Sequence, residues 1–168
     1  MRQKQGICTS ELTIAKAEES DISTMQATAR RVILNNYPVF LGEEAVHEFI
    51  ESGQSDREIE DGIGNCFVMK QEDEVIGFAI VLKDLLHLIM IDVPYQNQGY
   101  GTVLLEYIEQ EMFHVYSVIR LQSFESNKVA RFFYENNGWS VQSREKVDGL
   151  DTYMLLFEKS RTRDESVD

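Results

Sequence analysis

The run from Leu85 to Glu111, LLHLIMIDVPYQNQGYGTVLLEYIEQE, constrains the fold more than any other stretch of the chain. It starts as a nearly continuous apolar strand, crosses Pro94 into a polar turn holding Gly99 and Gly101, and leaves as an amphipathic helix. A strand without polar alternation has to be covered on both faces, which calls for a sheet with helices on either side. In the helix Leu104, Leu105, Ile108 and Met112 recur at i, i+1, i+4 and i+8 and form one buried face. The first amides of such a helix lack intrahelical acceptors and carry partial positive charge. Glycine lets an anion approach them with no Cβ in the way. A phosphorylated group is therefore expected over residues 96–102.

The type of phosphate site follows from what the turn lacks. No lysine follows Gly101, so it is not a P-loop, and Gly99-Tyr100-Gly101 runs on to Leu104 rather than to the third glycine of a dinucleotide fold. The turn reads Q-x-x-G-x-G from Gln96 to Gly101. By itself this fits an ordinary tight strand-to-helix turn as well as an anion loop. A second segment decides between them. Leu121 to Trp139, LQSFESNKVARFFYENNGW, places Asn127, Ala130, Tyr134, Glu135, Gly138 and Trp139 in the pattern N-x-x-A-x-x-x-Y-[ED]-x-x-G-[FW]. Glu74-Val75-Ile76-Gly77-Phe78 adds a strand with an internal glycine. Together, in this order, these segments resemble the GCN5-related N-acetyltransferases (GNAT), whose pyrophosphate loop reads [QR]-x-x-G-x-[GA]. The resemblance covers residues 12–159.

The resemblance implies an α/β (α+β) fold. Its sheet is mixed and mostly antiparallel, with six to seven strands splayed between strands 4 and 5 and about four flanking helices. It implies acetyl-CoA as cosubstrate. The coenzyme would be held at Gln96, Asn97, Gln98, Gly99, Tyr100, Gly101 and Thr102, along the strand edge at Ile89, Met90 and Ile91, and at Asn127. Pro94 directly precedes Tyr95 where the family usually has one residue between, which shifts the strand-edge register by a residue or two. Gln96 stands in a slot more often held by arginine. Lys128 and Arg131 either meet coenzyme phosphates or form a solvated helix face.

The resemblance makes Tyr134 the general acid beside the coenzyme sulfur. A phenol with pKa ~10 is protonated at neutral pH; the alternative is a core tyrosine beside Phe132 and Phe133. For the base, the ribosomal-protein alanine acetyltransferases use a glutamate five residues before the motif asparagine. That position is Gln122 here, which cannot accept a proton, so their mechanism does not carry over. His87 is the candidate base. It lies four residues before Ile91, with the parity of cleft-facing positions, near where arylalkylamine acetyltransferases place a histidine. The other reading is a hydrogen-bonded core histidine. Glu125 is a third candidate, on a loop. Tyr37, Phe40, Glu43 and Glu44 are expected around the acceptor.

Length and composition bound the rest. The chain has 168 residues, 43% of them hydrophobic, enough for one domain with a sizeable core over residues 12–160. Residues 1–11 read as a lead-in and 161–168 as a tail. A net charge of −13 argues against nucleic acid and is compatible with a cationic amine, although solubility alone accounts for it. No run reaches the ~20 apolar residues of a membrane span, and the polar start MRQKQGICTSE lacks a signal core. With Cys8 and Cys66 the only cysteines, and His47, His87 and His114 scattered, no metal is expected and a reducing cytoplasm is the expected setting. A homodimer is a family-level expectation. The functional expectation is acetyl transfer to a primary amine of a small molecule or peptide. A non-catalytic acyl-CoA sensor and a transferase for another acyl group stand as alternatives.

Pattern places strands at Leu12–Lys16, Cys66–Lys70, Val75–Lys83, Leu85–Val93 and Val118–Phe124, then a hairpin of Val141–Val147 and Thr152–Lys159 around Asp148-Gly149. A first helix is expected after the start chemistry of Glu18 to Asp21, with Ile22, Met25, Ala29, Val32 and Ile33 on one face and its end at Asn35-Asn36-Tyr37-Pro38; others are expected from Gly42 to Ser52, after Gly101, and over Lys128–Asn136. The polar stretch Gly53–Asn65 reads as loop or partly helical.

Overall fold

A computed structural model describes residues 11–162, so nearly all of the expected lead-in, with Cys8, and nearly all of the expected tail lie outside the described residues. The strands are β1 (Leu12–Lys16), β2 (Cys66–Gln71), β3 (Glu74–Leu82), β4 (Leu85–Ile91), β5 (Val118–Phe124), β6 (Ser140–Lys146) and β7 (Tyr153–Ser160). They form one sheet in the order β1-β2-β3-β4-β5-β7-β6. Consecutive strands joined by hairpins pair antiparallel, while β4 and β5, joined through a helix, pair parallel. The returning hairpin inserts β7 between β5 and β6 and leaves β6 as an exposed edge.

The helices among the described residues are α1 (Ile22–Asn36), α2 (Pro38–Leu41), α3 (Glu43–Glu51), α4 (Gln54–Asp61), α5 (Tyr100–Phe113) and α6 (Lys128–Asn136). The excess over the expected four comes from α2, a single turn started by Pro38, and from α4. The polar sequence of α4 hides its helix because only Ser55 and Ile59 are buried. One core, with Met25, Ala29, Val32, Val46 and Ile59, packs α1, α3 and α4 against one sheet face. The other, with Leu104, Leu105, Ile108 and Met112, packs α5 on the opposite face. The apolar strand β4 contributes to both, Leu86 to the α5 side and Met90 to the α1 side, which is why it carries no polar alternation.

Two features open the sheet. β4 and β5 pair only at Leu85–Arg120 and Leu86–Leu121, and beyond those residues they diverge. On its other side β4 carries a bulge: Val81 faces Leu86 and Ile80 faces Leu88, so His87 is an extra residue without a partner on β3. A bulge bends and twists its strand, and this one sits where β4 leaves β5. No helix among the described residues is long and apolar enough to cross a membrane.

Candidate active site

The diverging ends of β4 and β5 leave one edge of β4 unpaired. The Asp92 amide donates to the Ile76 carbonyl at 2.8 Å, which fixes the alternation along the strand. Met90 and Leu88 then point their backbone groups at β3, and Ile89 and Ile91 point theirs into the gap. Of the three expected edge residues, two therefore face the gap. Met90 instead bonds to β3, and its side chain is buried in the α1-side core. The Ile91 carbonyl is already taken, accepting from Gln96 Nε2 at 2.9 Å.

After Ile91 the chain makes a 3-10 turn, Val93–Tyr95, capped by the Asp92 carboxylate accepting from the Val93 amide at 2.8 Å. That turn accommodates the shortened Pro94-Tyr95 spacing. Asn97 at φ 60° and Gly99 at φ 89° then reverse the backbone, and α5 begins at Tyr100. The first helical backbone bond runs from Val103 to Gly99, so the amides of Gly99, Tyr100, Gly101 and Thr102 have no intrahelical acceptor. A Cβ on Gly101 would point at Ile91 and Phe133, 3.8 and 3.5 Å away, toward the gap between β4 and α6. The unpaired β4 edge, the free helix amides and the bare Gly101 are the features a thioester arm ending in a pyrophosphate needs, so the residues present fit coenzyme A.

The side chains of the turn have other work. Gln96 bridges the Ile91 carbonyl and Asn36, whose Nδ2 donates to Gln96 Oε1 at 3.3 Å, and so ties α1 to the loop. Gln98 Nε2 donates to the Pro94 carbonyl at 3.0 Å, and Tyr100 accepts from Gln71 at 3.3 Å. Asn127 caps α6, its side-chain oxygen accepting from the Ala130 amide at 3.2 Å, which orders the segment carrying Tyr134. Arg131 pairs with Glu135 at 3.0 Å, the solvated-face reading.

Tyr134 packs on Phe133, Phe157 and Trp139 with ring centroids 5.4, 5.7 and 6.4 Å away. Burial pushes its hydroxyl well above the ordinary phenol range, and nearby Tyr37 adds to the shift. Tyr37 is itself pushed up to about 12, by burial and then by the charge of Glu58 on α4. Above ~10 an unfolded phenol ionises while these two resist, so protonated tyrosine favours the fold less and less as pH rises from ~10 to about 12. Denaturant titrations across that window are expected to show stability falling, and less steeply in Tyr37→Phe.

His87 does not follow the parity expected of it. The bulge interrupts the alternation counted from Ile91, and Nε2 lies 3.4 Å from Glu58 Oε2 on the α4 side of the sheet. It is a half-exposed residue rather than a core one. Glu125 is bound at both oxygens by Arg144, each at 2.8 Å, and that guanidinium holds its carboxyl below the usual range, so both oxygens are already engaged. Tyr37, Phe40 and Phe124 stack in sequence at 5.0 and 6.0 Å beside the C-terminal end of β5. Glu43 and Glu44 are exposed in the first turn of α3. Glu58 belongs to no motif, and sequence reasoning missed it.

A model of the acetyltransferase (GNAT) family matches residues 29–139. The chain belongs to the GNAT family. Solved structures share the acetyltransferase fold over most of its length. The PaiA N-acetyltransferase from Thermoplasma acidophilum, in complex with coenzyme A, is 21% identical with a TM-score of 0.75, over 90% of this chain and 99% of that one. A GCN5-related N-acetyltransferase from Rhodopseudomonas palustris is 14% identical with the same TM-score of 0.75, over 91% and 96% of the two chains. The ribosomal-protein-S18-alanine N-acetyltransferase from Escherichia coli is 20% identical with a TM-score of 0.66, over 89% and 94%. A search of curated proteins returned no match. At these identities the structural likeness speaks for the fold of this chain and not for its substrate.

Proposed function

We propose that this acetyltransferase moves the acetyl group of acetyl-CoA to a primary amine of a small molecule or peptide by direct attack. The observation that carries the reading is the gap between β4 and β5, with the unpaired edge of Ile89 and Ile91 leading to the free amides of α5. When bound, the coenzyme supplies an acetyl group activated as a thioester. Ile89 and Ile91 offer backbone groups to its arm, and the amides of Gly99 to Thr102, with those of Asn97 and Gln98 before them, hold its pyrophosphate. In the overall reaction a C–N bond forms at the acetyl carbon, the C–S bond breaks, one amine proton leaves and the thiolate gains one.

In this reading the Tyr134 hydroxyl would be the donor to the departing sulfur. Because burial raises this phenol, full transfer of its proton to a thiolate with a free-thiol pKa of ~8.5 is uphill. Tyr134 therefore acts by donating a hydrogen bond as charge grows on sulfur, and the amine's own proton completes the thiol. His87, half-exposed beside Glu58 on the α4 side of the sheet, takes through water the proton that the incoming ammonium must lose. The strong net negative charge draws cationic amines toward the protein.

Two measurements test these assignments. Gly101→Val fills the space between Ile91 and Phe133 at a position of ordinary helical backbone. It is expected to weaken acetyl-CoA binding by ~10-fold or more in calorimetry while leaving the circular dichroism spectrum unchanged. Gly99→Val is the poorer probe, since its φ of 89° strains any β-branched residue whether or not coenzyme binds. His87→Gln is expected to remove the acid limb of the pH–rate profile. If the limb persists, His87 does not carry the proton.

A further inference from the structure

We propose that Glu109 is a positioning residue for Tyr134: by holding the Trp139 indole it fixes the ring surface that aims the Tyr134 hydroxyl at the thioester sulfur. The proposal rests on the acetyltransferase reading above, with Tyr134 as the donor to sulfur, and adds to it a buried residue of α5 that acts through Trp139.

Among the described residues no hydrogen bond holds the Tyr134 hydroxyl. Its direction is set by the side chains packed on its ring, which are Phe133, Phe157 and Trp139. Of the three, Trp139 alone carries a polar group, and that group is anchored. Its Nε1 donates to Glu109 Oε1 at 2.8 Å within the core, where the tryptophan is 3% exposed. An indole N–H tied to one buried acceptor holds its ring to one orientation. That ring meets Tyr134 edge to face, at 63° and 6.4 Å between centroids.

Glu109 is itself fixed. Its other oxygen accepts from Lys159 Nζ at 2.7 Å, and the same ammonium donates to the Asn137 carbonyl at 2.8 Å. The Asn137 and Trp139 amides in turn donate to the Tyr134 carbonyl at 3.0 and 3.1 Å. Glu109 and Lys159 thus hold Tyr134 twice, at its ring through the indole and at its backbone through the turn after α6. Stability alone would be served by apolar side chains at both positions, since well-packed hydrophobic residues often match a buried ion pair. Such residues could not accept from the indole. A donor to sulfur depends on its direction, and a displacement of ~1 Å can cost up to ~10²-fold in rate.

The test is a double-mutant cycle in kcat, with the faster of n-butylamine and glycinamide as acceptor. Trp139→Phe keeps an aromatic ring and deletes the N–H. It is expected to lower kcat by ~10-fold, with the KM for acetyl-CoA within about twofold. With Tyr134→Phe already present the same substitution is expected to lower kcat by less than about twofold, because no hydroxyl is left to aim. A second pair of variants removes both charges and differs in the acceptor offered to the indole. Glu109→Gln/Lys159→Met keeps an oxygen there, and Glu109→Leu/Lys159→Met does not. The first is expected to hold kcat within about threefold of the intact protein and the second to lose ~10-fold. Trp139 is the sole tryptophan, so an unshifted emission maximum checks that its ring stays buried in both. No loss in Trp139→Phe, an equal loss with and without the Tyr134 hydroxyl, or equal kcat in the two double variants makes Glu109 a packing residue and leaves the acetyltransferase reading intact. Binding of acetyl-CoA with no thiol release dependent on either amine overturns both.

Discussion

Tyr134→Phe is expected to lower kcat by ~10²–10³-fold with little change in acetyl-CoA affinity, because it deletes one hydrogen-bond donor and keeps the ring against Phe157 and Trp139. The size of the effect follows from the low-dielectric surroundings, where a donor aimed at developing charge is worth far more than in water. The raised phenol adds a pH signature. The protonated form is the active one and persists above the ordinary ~10, so kcat in the intact protein should show no basic limb from this group up to pH ~10. A rate within threefold of the intact protein in Tyr134→Phe would make Tyr134 a packing residue.

Lys159→Met is expected to cost about 3 kcal/mol of stability, the lower end for a broken buried ion pair because Lys159 retains 22% of its side-chain exposure. Glu109 Oε2 accepts from Lys159 Nζ at 2.7 Å and Oε1 accepts from Trp139 Nε1 at 2.8 Å, while Lys159 also donates to the Asn137 carbonyl at 2.8 Å. One carboxylate with 9% exposure thus pins α5 to β7 and to the turn after α6. Removing the cation strands that charge in the core. At ~2–4 °C per kcal/mol the midpoint of thermal unfolding should fall by roughly 6–12 °C. Adding Glu109→Leu to Lys159→Met should recover part of the loss, since both charges are then gone. A single variant within about 1 kcal/mol of the parent in a denaturant titration would show that the pair contributes little.

How far the sequence reached depended on the range of the interactions involved. β4, the turn and α5 are encoded locally: an apolar run, two glycines and a 3.6-residue repeat, each readable within a few residues. The same holds for α6, where Asn127 and the spacing to Gly138 mark cap and stop. The bulge at His87 was not legible, because it depends on how Ile80 and Val81 pair with a strand several residues away, and it undoes any parity counted along β4 alone. The same blindness hid the side-chain partners. Nothing local says that Gln96 will clamp Asn36 to the Ile91 carbonyl, or that Arg144, nineteen residues on, will occupy Glu125. Glu58 looked like one acidic residue on a polar helix, and its place beside His87 and near Tyr37 exists only once α1 and α4 pack on the sheet.

The most direct test of the central claim, that the gap between β4 and β5 is the coenzyme site, is amide hydrogen exchange followed with and without saturating acetyl-CoA. Slowed exchange concentrated at Ile89, Ile91 and the amides from Asn97 to Thr102, with Met90 unchanged because it already bonds to β3, is the predicted result. Saturable binding that protects other segments and leaves residues 89–102 unaltered would contradict it.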